Sequence, residues 1–268
     1  MSGTRIVRQK EWAFPPAPVH REVLTATPAE PSDSPPLLFV PGFGHGAWAF
    51  AEHWLEHAAG RGFPAHAMSL RGHGASGSAT KTTLRAYAHD VVQVAASLPR
   101  QAVLVGHGAS ALVVAMAMAR YPVRAAVLVS PVFGGVGAAF SVLGRSPAVV
   151  LPALFGRPLR PRRGQLFSRA LPVAEKKRYV AQVGAASGRA QWQLALHRGP
   201  EKPVGDPPAL VVGSPDDRLV PRKALADVAG RYAGAPLLFP GMGHDLMLDV
   251  GWQEPIDAIL DWLEKSVL

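Results

Sequence analysis

AVLVGHGASALVV, residues 102–114, is the stretch whose reading decides the fold. An apolar run, Ala102–Val105, enters a glycine turn at Gly106-His107-Gly108 and continues from Ala109 as a run of small and aliphatic residues. A short apolar segment bounded by glycine reads as a fully buried strand. The small and aliphatic residues after it read as a helix packed close against that strand. Strand, tight turn and helix in direct succession make one step of an α/β chain, whose strand needs parallel neighbours and cover on both faces.

Outward from this unit the same step recurs. Apolar runs at Leu37–Val40, Ala65–Leu70, Ala125–Val129, Ala209–Val212 and Leu237–Phe239 are short and bounded by Gly or Pro. Helical patterns separate them at Trp48–Ala59, Leu84–Leu98, Ala109–Arg120, Arg222–Arg231 and Trp252–Glu264. The spacing predicts a mostly parallel central sheet with helices on both faces, an α/β fold. Residues 1–36, with edge strands at Ile6–Val7 and Val19–Thr25, lead through a Pro-rich loop into a core formed by residues 37–131 and 206–268. Residues 132–205 break the rhythm. A connection that long inside a compact domain is usually functional, and its helical stretch VAEKKRYVAQVGAASGRAQWQLAL (173–196) reads as a helical lid.

Composition bounds the chemistry. The 268 residues are 48% hydrophobic and 18% charged, which suits one sizeable domain with an insertion. There is no cysteine, so disulfides, thiolate metal sites, iron–sulfur clusters and a thiol nucleophile are excluded, and neither a cofactor nor a metal is expected. The opening MSGTRIVRQKEWAF is not a basic patch followed by an apolar run, so no secretory signal is read and a cytoplasmic location is expected. Apolar runs are interrupted well short of the roughly 20 residues of a membrane span.

The formal net charge of +9 is concentrated in one place. Between Arg145 and Arg178 stand nine basic residues, Arg160, Arg162 and Arg163 among them, against Glu175 alone. Such a cluster is either a solvated face or a surface that attracts an acidic substrate, an acidic carrier protein or a membrane. Nucleic acid is disfavoured, because no aromatic residues interleave with the arginines as a stacking platform needs.

Open α/β sheets bind ligands beyond the carboxyl ends of their strands. Four such ends carry glycine with polar residues: FVPGFGHGAW (39–48), VGHGAS (105–110), VGSPDDRLVP (212–221) and FPGMGHDLML (239–248). Their order, together with SLRGHGASG (69–77) and PGMGHDLMLDVGW (240–252), resembles the α/β-hydrolase fold superfamily, and in particular its small bacterial esterase-like and lysophospholipase-like members. The resemblance spans the chain from residue 37 onward. It implies His244 as general base and Asp217 as the carboxylate that orients it, with Asp216 as the competing carboxylate. It also implies an oxyanion hole built from the backbone N–H groups of Phe43 and Ala109.

At the nucleophile the chain departs from that pattern. The family's elbow is G-x-S-x-G; here the frame is Gly106-His107-Gly108-Ala109-Ser110, with glycine in the serine's place and serine where the last glycine belongs. Glycine adopts the elbow's dihedrals without strain, so the turn survives and the nucleophile does not. Ser110 is the nearest substitute hydroxyl, but N-terminal helical serines usually bond local backbone groups. Three readings follow. The favoured one is a non-covalent enzyme in which His244 and Asp217 perform acid–base chemistry on a carbonyl substrate: cyclisation, isomerisation, dehydration, carbon–carbon cleavage or hydrolysis by activated water. The others are an inactive binding protein and a serine-to-glycine knockout of an ordinary esterase or thioesterase.

The pocket is expected to be apolar. Trp48 and Phe133, with Ser110 and Ser130, are the candidate lining residues, together with insertion residues such as Phe140, Leu151 and Phe155. Beside the basic cluster, such a lining suits a hydrophobic, partly anionic small molecule, presented by an acidic carrier protein.

Overall fold

The computed structural model describes residues 14–78, 82–134 and 162–267. Seven strands form one sheet: β1 (Val23–Ala26), β2 (Leu37–Val40), β3 (Ala65–Met68), β4 (Val103–His107), β5 (Ala125–Val129), β6 (Ala209–Gly213) and β7 (Leu237–Leu238). Their spatial order is β1-β3-β2-β4-β5-β6-β7. The edge strand β1 runs antiparallel to β3, and every other pairing is parallel. From β2 the chain moves outward to β3 on one side and then crosses back to β4 on the other. The crevice beyond the carboxyl ends of β2 and β4 is therefore the topological switch point where such sheets bind ligands.

Helices α1 (Trp48–Ala51), α2 (Trp54–Gly60), α3 (Leu84–Ser97) and α4 (Ser110–Met118) precede β5. The connection from β5 to β6 carries α5 (Arg163–Leu166), α6 (Val173–Gln182) and α7 (Gly188–Ala195) among the described residues. Helices α8 (Arg222–Gly230) and α9 (Gln253–Ser266) complete the chain.

The two-residue periodicity of the strands divides the core. Leu37, Phe39, Ala65, Ala67, Val103, Val105 and Val127 pack with α1, α2 and α9 through Phe50, Trp54, Ile256, Ile259 and Leu260. Their neighbours Leu38, Val40, Met68, Leu104 and Leu128 pack on the other face with α3, α4 and α8. Each such aliphatic or aromatic side chain taken wholly out of water contributes about 1.5–3 kcal/mol. Helix α4 is buried at every position except Met116. That explains its lack of a polar face: it lies between the sheet and α3.

The buried Arg71, from SLRGHG, forks onto Asp90 of α3 with both contacts at 2.6 Å, closing the loop after β3 against the helix.

Several expectations change in detail: the strand expected over Ala65–Leu70 ends at Met68, and the helical stretch 173–196 is two helices, Val173–Gln182 and Gly188–Ala195. The predicted helix Trp48–Ala59 is two helices, broken at His53, whose ring lies flat against Trp252 with centroids 4.6 Å apart. The strand expected over Val19–Thr25 spans only Val23–Ala26, the part opposite Ala65–Met68. The last strand is the two residues Leu237–Leu238, with Phe239 beyond its end. Ile6–Val7, Phe140, Leu151, Phe155 and the basic residues Arg145, Arg157 and Arg160 lie outside the described residues. Among the described residues, no helix is long and apolar enough to cross a membrane.

Candidate active site

The elbow after β4 is built by backbone geometry. Gly108 sits at φ +54°, in the left-handed region that glycine enters freely. Its N–H donates to Val129 O at 2.9 Å, and its carbonyl accepts from Ala111 N at 3.2 Å and Val132 N at 2.9 Å. Gly106 is required for a different reason. A Cβ there would lie 2.8 Å from Val114 Cγ2 and 2.9 Å from Ala111 Cα, so the strand and α4 approach closely only without a side chain.

Opposite the elbow stands His244. Its Nδ1 is 2.7 Å from Asp217 Oδ2, with both side chains buried. The other oxygen of Asp217 accepts from Leu219 N at 2.7 Å and Val220 N at 3.1 Å, which fixes the carboxylate in its loop. Asp216, the competing carboxylate, points elsewhere: Oδ2 accepts from Gly241 N at 2.7 Å. Burial, the largest influence on His244, opposes its charged form. The Asp217 carboxylate outweighs it through charge and hydrogen bonding, and the imidazole titrates above its ordinary value. A Cβ on residue 108 would lie 3.1 Å from His244 Nε2. The ring thus addresses the position from which a nucleophile's side chain would project. Nε2 makes no hydrogen bond to any described residue.

The loop after β2 closes the site from the other side. The same Cβ on residue 108 would be 3.9 Å from Gly42 Cα, so the chain after Gly42 and the chain after Gly108 leave from adjacent points. Phe43 N and Ala109 N, the next amides on each, donate to no acceptor among the described residues. Four contacts brace this loop: Ser110 Oγ donates to Pro41 O at 2.6 Å, His45 N to Gly42 O at 3.0 Å, Ala47 N to Ser69 Oγ at 2.7 Å, and Gly184 N to Gly44 O at 2.7 Å. Phe43 itself packs against Tyr87, with centroids 5.2 Å apart.

These contacts reassign two hydroxyls. Ser110, considered from sequence as a substitute nucleophile and a pocket residue, is fully buried with its hydroxyl committed to Pro41 O. Ser130 is likewise buried; it occupies φ +44° and donates to His244 O at 2.9 Å, holding the histidine's backbone from beneath. Trp48 is half-buried between His45 and Tyr179, with centroids 5.7 and 6.3 Å away. Phe133 lines a cavity of about 590 Å³ with Gly134, Leu196, Arg198 and Arg231, which does not include His244.

Sequence reasoning missed a second layer of polar residues. Asp245 is buried, with Oδ2 3.0 Å from His45 Nε2 and Oδ1 3.4 Å from His107 Nε2. Burial works against its ionised form, but the His45 contact outweighs this and holds the carboxyl below its ordinary range. His107, wholly buried, is pushed down to about 3, chiefly by desolvation. His107, His244 and Asp245 have ligand-type atoms within 4.8 Å of one another. However, His244 Nδ1 is taken by Asp217 and Asp245 Oδ2 by His45. The cluster forms a floor beneath the imidazole that is only partly hydrogen-bonded: Asp245 Oδ1, His107 Nδ1 and His45 Nδ1 have no hydrogen-bond partner among the described residues. The signal for it was the aspartate directly after His244, which no local pattern distinguishes from a solvent-facing residue.

Residues 37–262 match the model of the Alpha/beta hydrolase family. The chain belongs to that family. Solved structures similar to this α/β hydrolase include a thermophilic esterase from Thermogutta terrifontis, at 18% identity over 93% of this chain and 94% of that one, with a TM-score of 0.70. A monoacylglycerol lipase from Paleococcus ferrophilus matches at 20% identity over 92% and 98%, with a TM-score of 0.70. A bromoperoxidase from Bacillus anthracis matches at 14% over 92% and 95%, with a TM-score of 0.68. At these identities the likeness is one of fold. No curated protein sequence matches the chain.

Proposed function

We propose that this α/β hydrolase is an enzyme that works without a covalent intermediate, using His244 as general acid and base on a hydrophobic carbonyl substrate. Asp217 holds the imidazole in one tautomer and favours its protonated form. The amides of Phe43 and Ala109 take the negative charge that develops on the carbonyl oxygen as an enolate or alkoxide forms. The observation that carries the reading is the combination of an intact 2.7 Å Asp217–His244 pair with a side-chain-free Gly108 facing Nε2. The base keeps its orienting partner while the position that would form an acyl-enzyme is empty of any side chain.

Isomerisation, cyclisation, dehydration, carbon–carbon cleavage and hydrolysis by activated water all need only these parts. Inherited ester hydrolysis is disfavoured by magnitude: loss of a serine nucleophile costs about 10⁶ in rate, with a residue of about 10³–10⁴ over water. The esterase and lipase among the structural neighbours nonetheless favour a carbonyl compound as substrate. The exposed Arg162, Arg163, Arg169, Lys177 and Arg178 give the insertion a basic face, which suits a substrate with an anionic portion or one presented by an acidic carrier protein.

The test is a panel of carbonyl substrates, enolisable ketones and β-hydroxy carbonyl compounds beside simple esters, assayed with the native chain and His244→Ala. Turnover of a non-ester substrate that vanishes in the variant while ligand affinity persists supports the reading. Ligand binding by both proteins with turnover by neither leaves a binding protein instead.

A further inference from the structure

The loop bearing His244 is not held by the sheet alone. Asp249, five residues on and almost fully buried, turns its carboxylate back onto that loop: Oδ2 accepts from Gly243 N at 2.6 Å. The same oxygen accepts from Ser168 N at 2.7 Å, and Oδ1 accepts from Ser168 Oγ at 2.6 Å and Val250 N at 2.8 Å. On the other side of the histidine, Asp245 N donates to Leu166 O at 3.0 Å. Gly243 permits this closeness, since a Cβ there would lie 2.5 Å from Leu166 O and 2.7 Å from Phe167 Cα. Both neighbours of His244 are therefore fastened to residues 166–168, at the end of α5 in the insertion between β5 and β6.

We propose that Asp249 is a positioning residue for His244, clamping the loop that carries the imidazole to the segment just after α5 through Gly243 and Ser168. An ionised carboxylate suits the task because it accepts on both oxygens at once and makes charge-assisted bonds to main-chain N–H groups. An amide offers one acceptor oxygen and turns an N–H₂ group toward donors. The clamp bears on function through the acid–base role assigned above to His244, and on that role the inference rests. Seating of the insertion then sets how the ring meets Asp217 and Gly108.

The test compares Ser168→Ala and Asp249→Asn with the native chain by NMR of the His244 imidazole, whose Nδ1 proton reports the bond to Asp217, and by thermal unfolding. Asp217, Asp245 and His107 are the titratable groups facing the ring, and none is altered. The expected result is a folded Ser168→Ala protein whose His244 Nδ1 proton signal moves or broadens and whose imidazole protonation equilibrium falls by roughly threefold or more. Asp249→Asn, where it folds, should exceed this. A native signal and titration in Ser168→Ala overturns the proposal, whatever happens to the thermal midpoint. Because no turnover is measured, that failure leaves the acid–base reading standing, while inactivity of the native chain toward every carbonyl substrate would remove that reading and leave the clamp intact.

Discussion

His244 Nε2 stands 3.1 Å from the point where a Cβ on Gly108 would be. A side chain there would require the ring to give by a few tenths of an ångström. The consequence is a specific outcome for Gly108→Ser. The hydroxyl would project toward Nε2 with Phe43 N and Ala109 N beside it, and the protein should become labelled by an organophosphonate probe that leaves the native chain untouched. Placing a β-carbon at φ +54° costs about 1–2 kcal/mol, so thermal stability should fall. Gly108→Ala should show the same loss without labelling. A Gly108→Ser protein that folds and resists the probe would count against the oxyanion and base assignments together.

The pH dependence follows from the raised titration of His244. As a base the ring must be neutral, so a step limited by proton abstraction should quicken as pH rises through a midpoint above 6.5. Stability runs the other way. A folded value above the unfolded one means that the pair's contribution is fully present below the unfolded value and is lost as pH rises through the folded value. Asp217→Asn should lower the rate midpoint and reduce the rate by about 10⁴. His107, held near 3, stays neutral throughout and should leave no inflection in the profile above pH 5. A rate that declines across the His244 midpoint would assign the ring to the acid role alone.

Ser110→Ala should behave as a structural change. Its hydroxyl ties α4 to the carbonyl of Pro41, and removing it leaves that buried oxygen unsatisfied at a cost of about 1–3 kcal/mol. Calorimetry should show the destabilisation, with proton transfer by His244 retained. Abolished chemistry in a protein of native stability would instead return Ser110 to the reaction.

The basic face predicts a salt effect. Arg162→Glu with Arg163→Glu should weaken binding of an anionic substrate or acidic carrier, and rising ionic strength should weaken binding to the native chain in the same direction. Both effects should be smaller for a neutral substrate. Insensitivity to salt and charge reversal alike would make the cluster a solvated face.

The sheet was legible because fully buried strands reduce to short apolar runs between glycines and prolines. Leu37–Val40 and Ala125–Val129 have identical limits in sequence and structure. The strand ends led to Gly108, Asp217 and His244, since a parallel sheet gathers everything that follows its strands on one side. What escaped was whatever depends on partners distant in the chain. The helix expected over Trp48–Ala59, whose local pattern is continuous, is broken at His53, which stacks on Trp252 from the far end of the chain. The commitments of Ser110 to Pro41 and Ser130 to His244 turn two ordinary hydroxyls into braces. Asp249 is one acidic residue among many until Ser168 is found against it.

The amide of Gly184, given to the carbonyl of Gly44, has a counterpart in the bond from Ser168 to Asp249. Two points of the insertion, either side of α6, are thus sewn to loops that border the crevice. For protein engineering this makes the segment a poor interchangeable cassette. A replacement grafted from a relative would have to supply a hydroxyl opposite Asp249 and a free main-chain donor opposite Gly44, with room for two glycine backbones to touch. Chimaeras joined outside residues 166–184 without these features should misplace the machinery below, even where the new segment folds well.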